Sequence, residues 1–270
     1  TAIRMMCGLM RPTLGEVLID GKPVRAGRDG ETRAKVGICP QENILWNKLT
    51  CFEQLVFSAR MYSVPVRVAK TRADRLLLKM GLESKRNKLA GTLSGGMKRR
   101  MNVILAMMHD PDIMVFDEPE AGLDPQSRLV VREFIRETAQ DKTVIITTHN
   151  MDEAERIADR VAIIDSGRLL RLDTPHNLKR SIGEGDILEL KLFTRDPSNL
   201  DKAETELKEH GFSVVGDEYN WAIRAMDMVP RIHEIYKLLD QENVSISEMK
   251  VRQNTLEDVF IHLTGKSLRI

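Results

Sequence analysis

Ile113-Met114-Val115-Phe116-Asp117-Glu118-Pro119 decides how this chain is read. Four apolar residues without a polar face suit a strand covered on both sides, as in the middle of a parallel sheet. The two acids that follow then fall at the carboxyl edge of that sheet, where open α/β sheets bind their ligands. Alternation aims neighbouring side chains in different directions, so the carboxylates can do separate jobs. Asp117 can hold Mg²⁺ directly or through water, and Glu118 can polarise an attacking water. Two acids merely opening a loop before Pro119 are the plainer alternative, and the segment alone leaves both open.

Working outward, the chain up to about Asp173 alternates short apolar runs with helical patterns. Strands are expected at Val17–Ile19, Val36–Cys39, Thr143–Thr147 and Val161–Ile164 beside the one at Ile113–Phe116. Helices are expected at Phe52–Met61, Arg67–Met80, Met97–Met108, Ser127–Ala139 and Met151–Ala158. That alternation is an α/β core. Two further segments carry chemistry. Leu93-Ser94-Gly95-Gly96-Met97 opens a helix, with Ser94 a good N-cap and two glycines that let a ligand approach the backbone. It reads as an anion site or as a plain glycine-rich helix start. Thr143-Val144-Ile145-Ile146-Thr147-Thr148-His149-Asn150 is a second apolar strand with a histidine just past its end. His149 there is in reach of a phosphate beside Asp117 and Glu118, or is structural, as lone histidines usually are.

Composition removes other classes. The 270 residues carry a net charge of +1, which gives no chain-wide attraction to nucleic acid. With 42% hydrophobic and 30% charged residues in regular runs, the chain is not disordered. No stretch approaches the roughly 18 apolar residues of a membrane span, and no secretory leader is visible. Cys7, Cys39 and Cys51 make no C-x-x-C pair, which argues against structural zinc and favours a reducing compartment. A soluble intracellular protein is the expectation. The charge is uneven: residues 186–270 carry 11 Lys/Arg against 16 Asp/Glu, residues 1–185 carry 30 against 24. A basic larger part suits a polyanionic ligand such as a nucleotide, and equally an ordinary solvated surface.

Texture changes after the polar hinge Ser181-Ile182-Gly183-Glu184-Gly185. Strands at Ile187–Phe193, Phe212–Val215, Tyr219–Ala225 and Val244–Val251 interleave with helices at Asn199–His210 and Val229–Gln241, and Leu256–Leu263 closes the chain. The order β-α-β-β-α-β is the ferredoxin-like split pattern. The expected domains are therefore residues 1–180, with a helical subdomain at about 42–110, and residues 186–270. The second has no catalytic constellation and is read as a regulatory or dimer-stabilising module.

Order and spacing join these motifs. Ser-Gly-Gly precedes a helix, the Asp-Glu strand follows, then Gly122-Leu123-Asp124-Pro125, then the histidine strand; Cys39-Pro40-Gln41 lies upstream. In this the chain resembles the ATP-binding cassette (ABC) ATPases. Gln41 matches their Q-loop, Leu93–Met97 the signature motif and Ile113–Glu118 Walker B with its glutamate. Gly122–Asp124 matches the D-loop and His149 the H-loop. The likeness covers about residues 1–180. Residues 186–270, ending in Thr255-Leu256-Glu257-Asp258-Val259-Phe260, resemble the extension of exporters in the drug- and antibiotic-resistance group. The resemblance implies a P-loop NTPase-like α/β core, with ATP and Mg²⁺ as cofactors. It makes Glu118 the water-polarising base and His149 the γ-phosphate sensor. Asp117 and Gln41 serve Mg²⁺, and Ser94, Gly95, Gly96 and Met97 bind the nucleotide of a second copy. Asp124 joins the two halves of a head-to-tail homodimer. It also implies a separate transmembrane permease, touched by the segment between Gln41 and Leu93. Trp46 and Phe52 are candidate contacts, buried aromatics being the plainer reading. The location implied is cytoplasmic, on the inner face of the membrane.

Three departures stand out. Met97 replaces the commonest glutamine, and Glu120 stands where Ser or Thr is usual. No G-x-x-x-x-G-K-[ST] occurs in the 270 residues. By the resemblance Thr1 follows directly on that loop's Mg²⁺-binding residue, so an incomplete sequence is expected, binding ATP poorly on its own. Beside the exporter ATPase stand a non-catalytic regulatory cassette and an ABC protein acting on nucleic acid or ribosomes. Intact Asp117, Glu118 and His149 oppose the first. A single cassette without sustained heptads opposes the second, and Lys98-Arg99-Arg100 reads more simply as a solvated helix face than as a nucleic-acid contact.

Overall fold

The computed structural model of the chain describes residues 1–24, 30, 34–182, 186–225 and 228–264. Gly183, Glu184 and Gly185 of the polar hinge lie outside these described residues. Contacts divide the chain into Thr1–His149 and Asn150–Ile270.

In the first unit a short helix α1 (Ala2–Met6) leads to a hairpin of β1 (Leu18–Ile19) and β2 (Lys22–Pro23). Its turn, Asp20-Gly21, has positive φ at both residues, 51° and 74°, as two-residue hairpins favour. The centre is a parallel sheet ordered β3 (Val36–Cys39), β4 (Ile113–Asp117), β5 (Thr143–Thr147). The register sets Cys39, Phe116 and Ile146 side by side. Whatever follows each strand therefore emerges along one carboxyl edge.

Both faces of β4 are covered, as its apolar run requires. On one face Val115 and Val36 pack with Cys7 and Ile3. Met114 and Phe116, each 0% exposed, contribute about 1.5–3 kcal/mol apiece by burial. Helices α2 (Cys51–Met61), α3 (Val66–Lys79) and α4 (Gly95–Leu105) pack on one another between β3 and β4 in sequence. Thr50 and Glu53 form a capping box at the start of α2. Helix α4 begins at Gly95, two residues before the expected Met97, with Ser94 accepting a bond from the Met97 N–H. Gly37 admits the end of α4 to the sheet: a Cβ there would lie 2.4 Å from the Ala106 carbonyl. Asp124 caps α5 (Pro125–Asp141), which has Pro at its first position.

The second unit holds α6 (Met151–Ile157), the hairpin β6 (Val161–Asp165) and β7 (Arg168–Asp173), and α7 (Pro175–Ser181). There follow β8 (Asp186–Phe193), α8 (Ser198–Glu209), β9 (Ser213–Gly216), β10 (Asn220–Ala225), α9 (Met228–Gln241), β11 (Ser245–Gln253) and α10 (Leu256–Thr264). The last four strands form an antiparallel sheet ordered β11-β8-β10-β9. This is the split β-α-β topology expected from the sequence. Leu188, Leu190, Trp221 and Ile223 share its core with Ala203, Leu207, Ile235 and Leu239 from the helices.

The contact division falls after His149, whereas the sequence places its boundary at 181–185. The cause is α10. Leu256 and Val259 return to pack with Ile163, Leu178 and Ile182, so residues 151–182 share a core with the end of the chain.

Candidate functional site

Three strands deliver three of the expected residues to one place. Gln41 follows β3, Glu118 follows β4 and His149 follows β5. Gln41 Nε2 donates to Glu118 Oε2 at 3.1 Å. His149 Nδ1 lies 3.2 Å from Glu118 Oε1, with the imidazole 77% exposed and the Glu118 side chain 26% exposed. The carboxylate of Glu118 is thus bracketed by an amide and an imidazole at the open edge of the sheet. Asp117 turns elsewhere: its Oδ1 accepts from the Thr147 hydroxyl. The two carboxylates have separate environments, as alternation along the strand requires.

Glu118 has φ 47°, a left-handed conformation that costs a non-glycine residue about 1 kcal/mol or more. Its N–H is fixed by the Thr147 carbonyl at 3.0 Å and the Thr147 hydroxyl at 3.2 Å. Thr147 therefore contacts both acids, a role the sequence reading missed.

A second cluster forms around the start of α4. Ser94 and Gly95 are exposed there. A Cβ on Gly96 would lie 3.1 Å from Ser127 Oγ and 3.4 Å from Asp124 Oδ2. Glycine thus allows the signature segment and the loop before α5 to stand side by side. Asp124 accepts from the Ser127 N–H at 2.9 Å, and that backbone bond chiefly holds its carboxyl below the usual range. Thr1 is the exposed N-cap of α1.

The donors suit Mg²⁺. A carboxylate and an amide oxygen are hard ligands, and Mg²⁺ usually takes one or two carboxylates plus phosphate oxygens. Among the described residues no three His, Cys, Asp or Glu side chains form a metal group, and Mg²⁺ held with phosphates needs none. Cysteine chemistry is not on offer. Cys7, Cys39 and Cys51 are free and buried, and burial pushes the Cys7 and Cys39 thiols up to about 11.

One expectation is corrected. Lys98-Arg99-Arg100 is not a solvated face: Arg99 is 3% exposed, and Arg100 Nη1 donates to the Met80 carbonyl at 2.8 Å. Phe52 lies beneath the Arg86 guanidinium at 3.5 Å, while Trp46 stands 43% exposed and edge-on to Phe57 at 5.4 Å. Glu120 fills a structural place: it is 7% exposed and its carboxylate meets Arg132 Nε at 2.9 Å and Nη2 at 2.6 Å.

Residues 1–121 match the ABC transporter family. The Nod factor export ATP-binding protein I of Burkholderia orbicola (strain AU 1054) is 34% identical over 271 residues, covering 100% of this chain and 85% of that protein. The chain belongs to the ABC transporter family. Mouse retinal-specific phospholipid-transporting ATPase ABCA4 is 40% identical over 190 residues, 70% of this chain; the match spans 8% of that protein's length. A solved ATP-binding subunit of an ABC transporter superposes with a TM-score of 0.61 at 27% identity, covering 67% of this chain and 75% of that one. Membership of this family implies a nucleotide as the ligand of the α/β core. No helix among the described residues is long and apolar enough to cross a membrane.

Proposed function

We propose that this chain is the ATP-hydrolysing subunit of an ABC exporter, pairing head-to-tail with a second copy and driving a separate transmembrane permease. The observation that carries this is the bracketing of Glu118 between Gln41 and His149 at the carboxyl edge of the sheet. Phosphoryl transfer to water needs an oriented nucleophile and charge placed against the departing phosphate. Glu118 is the group that orients and polarises the water, and His149 the group that holds the γ-phosphate. Asp117 and Gln41 are the residues that hold Mg²⁺, which when bound neutralises charge on the phosphates. Ser94, Gly95, Gly96 and Met97 present a helix N-terminus to the nucleotide of the second copy, with Asp124 across the same interface.

The face toward the permease is assigned to Ile44 and Trp46, in the segment after Gln41, and Phe57 of α2, exposed by 57%, 43% and 49%. The chain then sits on the inner face of a membrane through that partner. The family's exporter members, with names such as Nod factor export protein, support the outward direction.

Glu118→Gln, in a chain carrying a G-x-x-x-x-G-K-[ST] loop ahead of Thr1, tests the reading. Turnover falls about 10²–10⁴-fold if Glu118 is the base. Unchanged turnover would instead support a non-catalytic cassette. Residues 1–270 contain no such loop, so this stretch alone binds Mg-ATP weakly; calorimetry finding tight affinity would overturn that expectation.

A further inference from the structure

Arg99 belongs to none of the motifs that carry the chemistry, yet its guanidinium touches two of them. Nη1 donates to the carbonyls of Pro40 at 2.5 Å and Gln41 at 2.9 Å. Nη2 donates to those of Asp117 at 2.6 Å and Glu118 at 2.8 Å, and Nε to that of Pro119 at 3.1 Å. A guanidinium has five N–H donors in a rigid plane, and here five backbone carbonyls receive them. Three acceptors follow β4 or end it, and two follow β3.

One helical turn along α4, Asn102 grips the same upstream loop. Its Nδ2 donates to the Pro40 and Glu42 carbonyls, both at 3.3 Å, and its Oδ1 accepts from the Ile44 N–H at 3.4 Å. The buried face of α4 thus holds the backbone on both sides of the cleft in which Gln41 meets Glu118. Glu118 also has a left-handed φ, and Arg99 holds its carbonyl while Thr147 holds its N–H. Such a conformation persists only when its surroundings over-determine it.

We propose that Arg99 is a positioning residue that makes the Gln41 loop and the Glu118 loop move as one body. A displacement of the 40–46 segment, where the permease contact is assigned, is passed through the guanidinium plane to the backbone of Glu118. The catalytic consequence rests on the ATPase reading above; the mechanical linkage does not. An apolar strut of equal size would fill the space without fixing the distance between the loops. Lysine would keep the charge but has three donors on one nitrogen and cannot span five carbonyls.

The test is Arg99→Lys in a chain carrying the G-x-x-x-x-G-K-[ST] loop ahead of Thr1 and assembled with its permease, with Glu118→Gln as control. A misplacement of about 1 Å at Glu118 lowers kcat about 10²-fold, while KM for ATP stays within about threefold of wild type. In the Glu118→Gln background Arg99→Lys adds no further loss, because it acts through that carboxylate. Amide hydrogen exchange at 40–44 and at 117–121 rises together, by about tenfold or more, with the rest of the first unit unmoved. Unchanged kcat in folded Arg99→Lys, losses that add to those of Glu118→Gln, or exchange rising in one loop alone would overturn the proposal. If Glu118→Gln leaves turnover intact, the ATPase reading fails and the exchange result still judges the linkage. Should replacing so buried a cation prevent folding, Asn102→Leu gives a second reading. Exchange at 40–44 then rises and 117–121 follows by a smaller factor; an unmoved 117–121 would overturn the linkage.

Discussion

Each of the two units uses the fork of one arginine, buried in Arg99 and half-buried in Arg252, and the two are used in opposite ways. In the first unit Arg99 spends its donors on backbone carbonyls and leaves Asp117 and Glu118 with their carboxylates facing other groups. In the second, Arg252 consumes the carboxylates themselves, meeting Asp258 at 2.6 and 3.0 Å and Glu189 at 2.6 Å. Asp258 also accepts from the Thr255 N–H and hydroxyl, at 2.8 and 2.7 Å, capping α10. A carboxylate locked by a fork and a helix cap is structure. One facing an amide and a mostly exposed imidazole is available for chemistry.

Glu118→Gln is the largest contrast. It removes about 10²–10⁴ of turnover and leaves thermal stability close to wild type, because no arginine depends on that carboxylate. Asp258→Ala behaves the other way. It costs the second unit about 2 kcal/mol through the lost cap and charged bonds, without entering the chemistry. A chain in which both substitutions damaged rate and stability alike would erase the distinction. The acid limb sharpens it. Burial is the largest influence on Asp258 and raises its pKa, but the Arg252 and Thr255 bonds together prevail and hold it below 3.8. A depressed carboxylate stabilises above its unfolded value and loses that contribution as pH falls through the folded one. Melts of wild type against Asp258→Asn should therefore converge as pH drops below about 3.8 and separate toward neutrality.

Much of this was legible because it is local. The apolar runs of β3, β4 and β5 and the cap Ser94 follow from a few adjacent residues, and so does the edge the strands define. β7 and α7 were missed. β7 exposes most of its residues and has no clean alternation, although Ser166-Gly167, with φ of 50° and 77°, is a two-residue hairpin turn that marks it. Without β7 and α7 the return of α10 to residues 151–182 was invisible, and the boundary was set at the hinge. β5 reads as apolar as β4 yet is only half-buried. Arg99 was missed for a different reason. Its partners are carbonyls, which every residue has, so no sequence pattern marks them, and three basic residues in a row look like a solvated face.

The smallest effect belongs to Glu120, which sits between the two behaviours. It lies two residues past Glu118, yet it is 7% exposed and forked onto Arg132 of α5, so by the contrast above it is structural. Glu120→Thr restores the residue type common in the family at this position and removes the pair. Arg132 is 17% exposed and keeps a further partner, so it relaxes toward water and the cost stays near 1 kcal/mol. Turnover should stay within about threefold, since the Glu118 backbone is still held by Thr147 and Arg99. Denaturant melts and steady-state rates on the same sample decide it. A rate loss comparable to that of Glu118→Gln would mean that the ion pair, and not the carbonyl clamp, sets the position of Glu118.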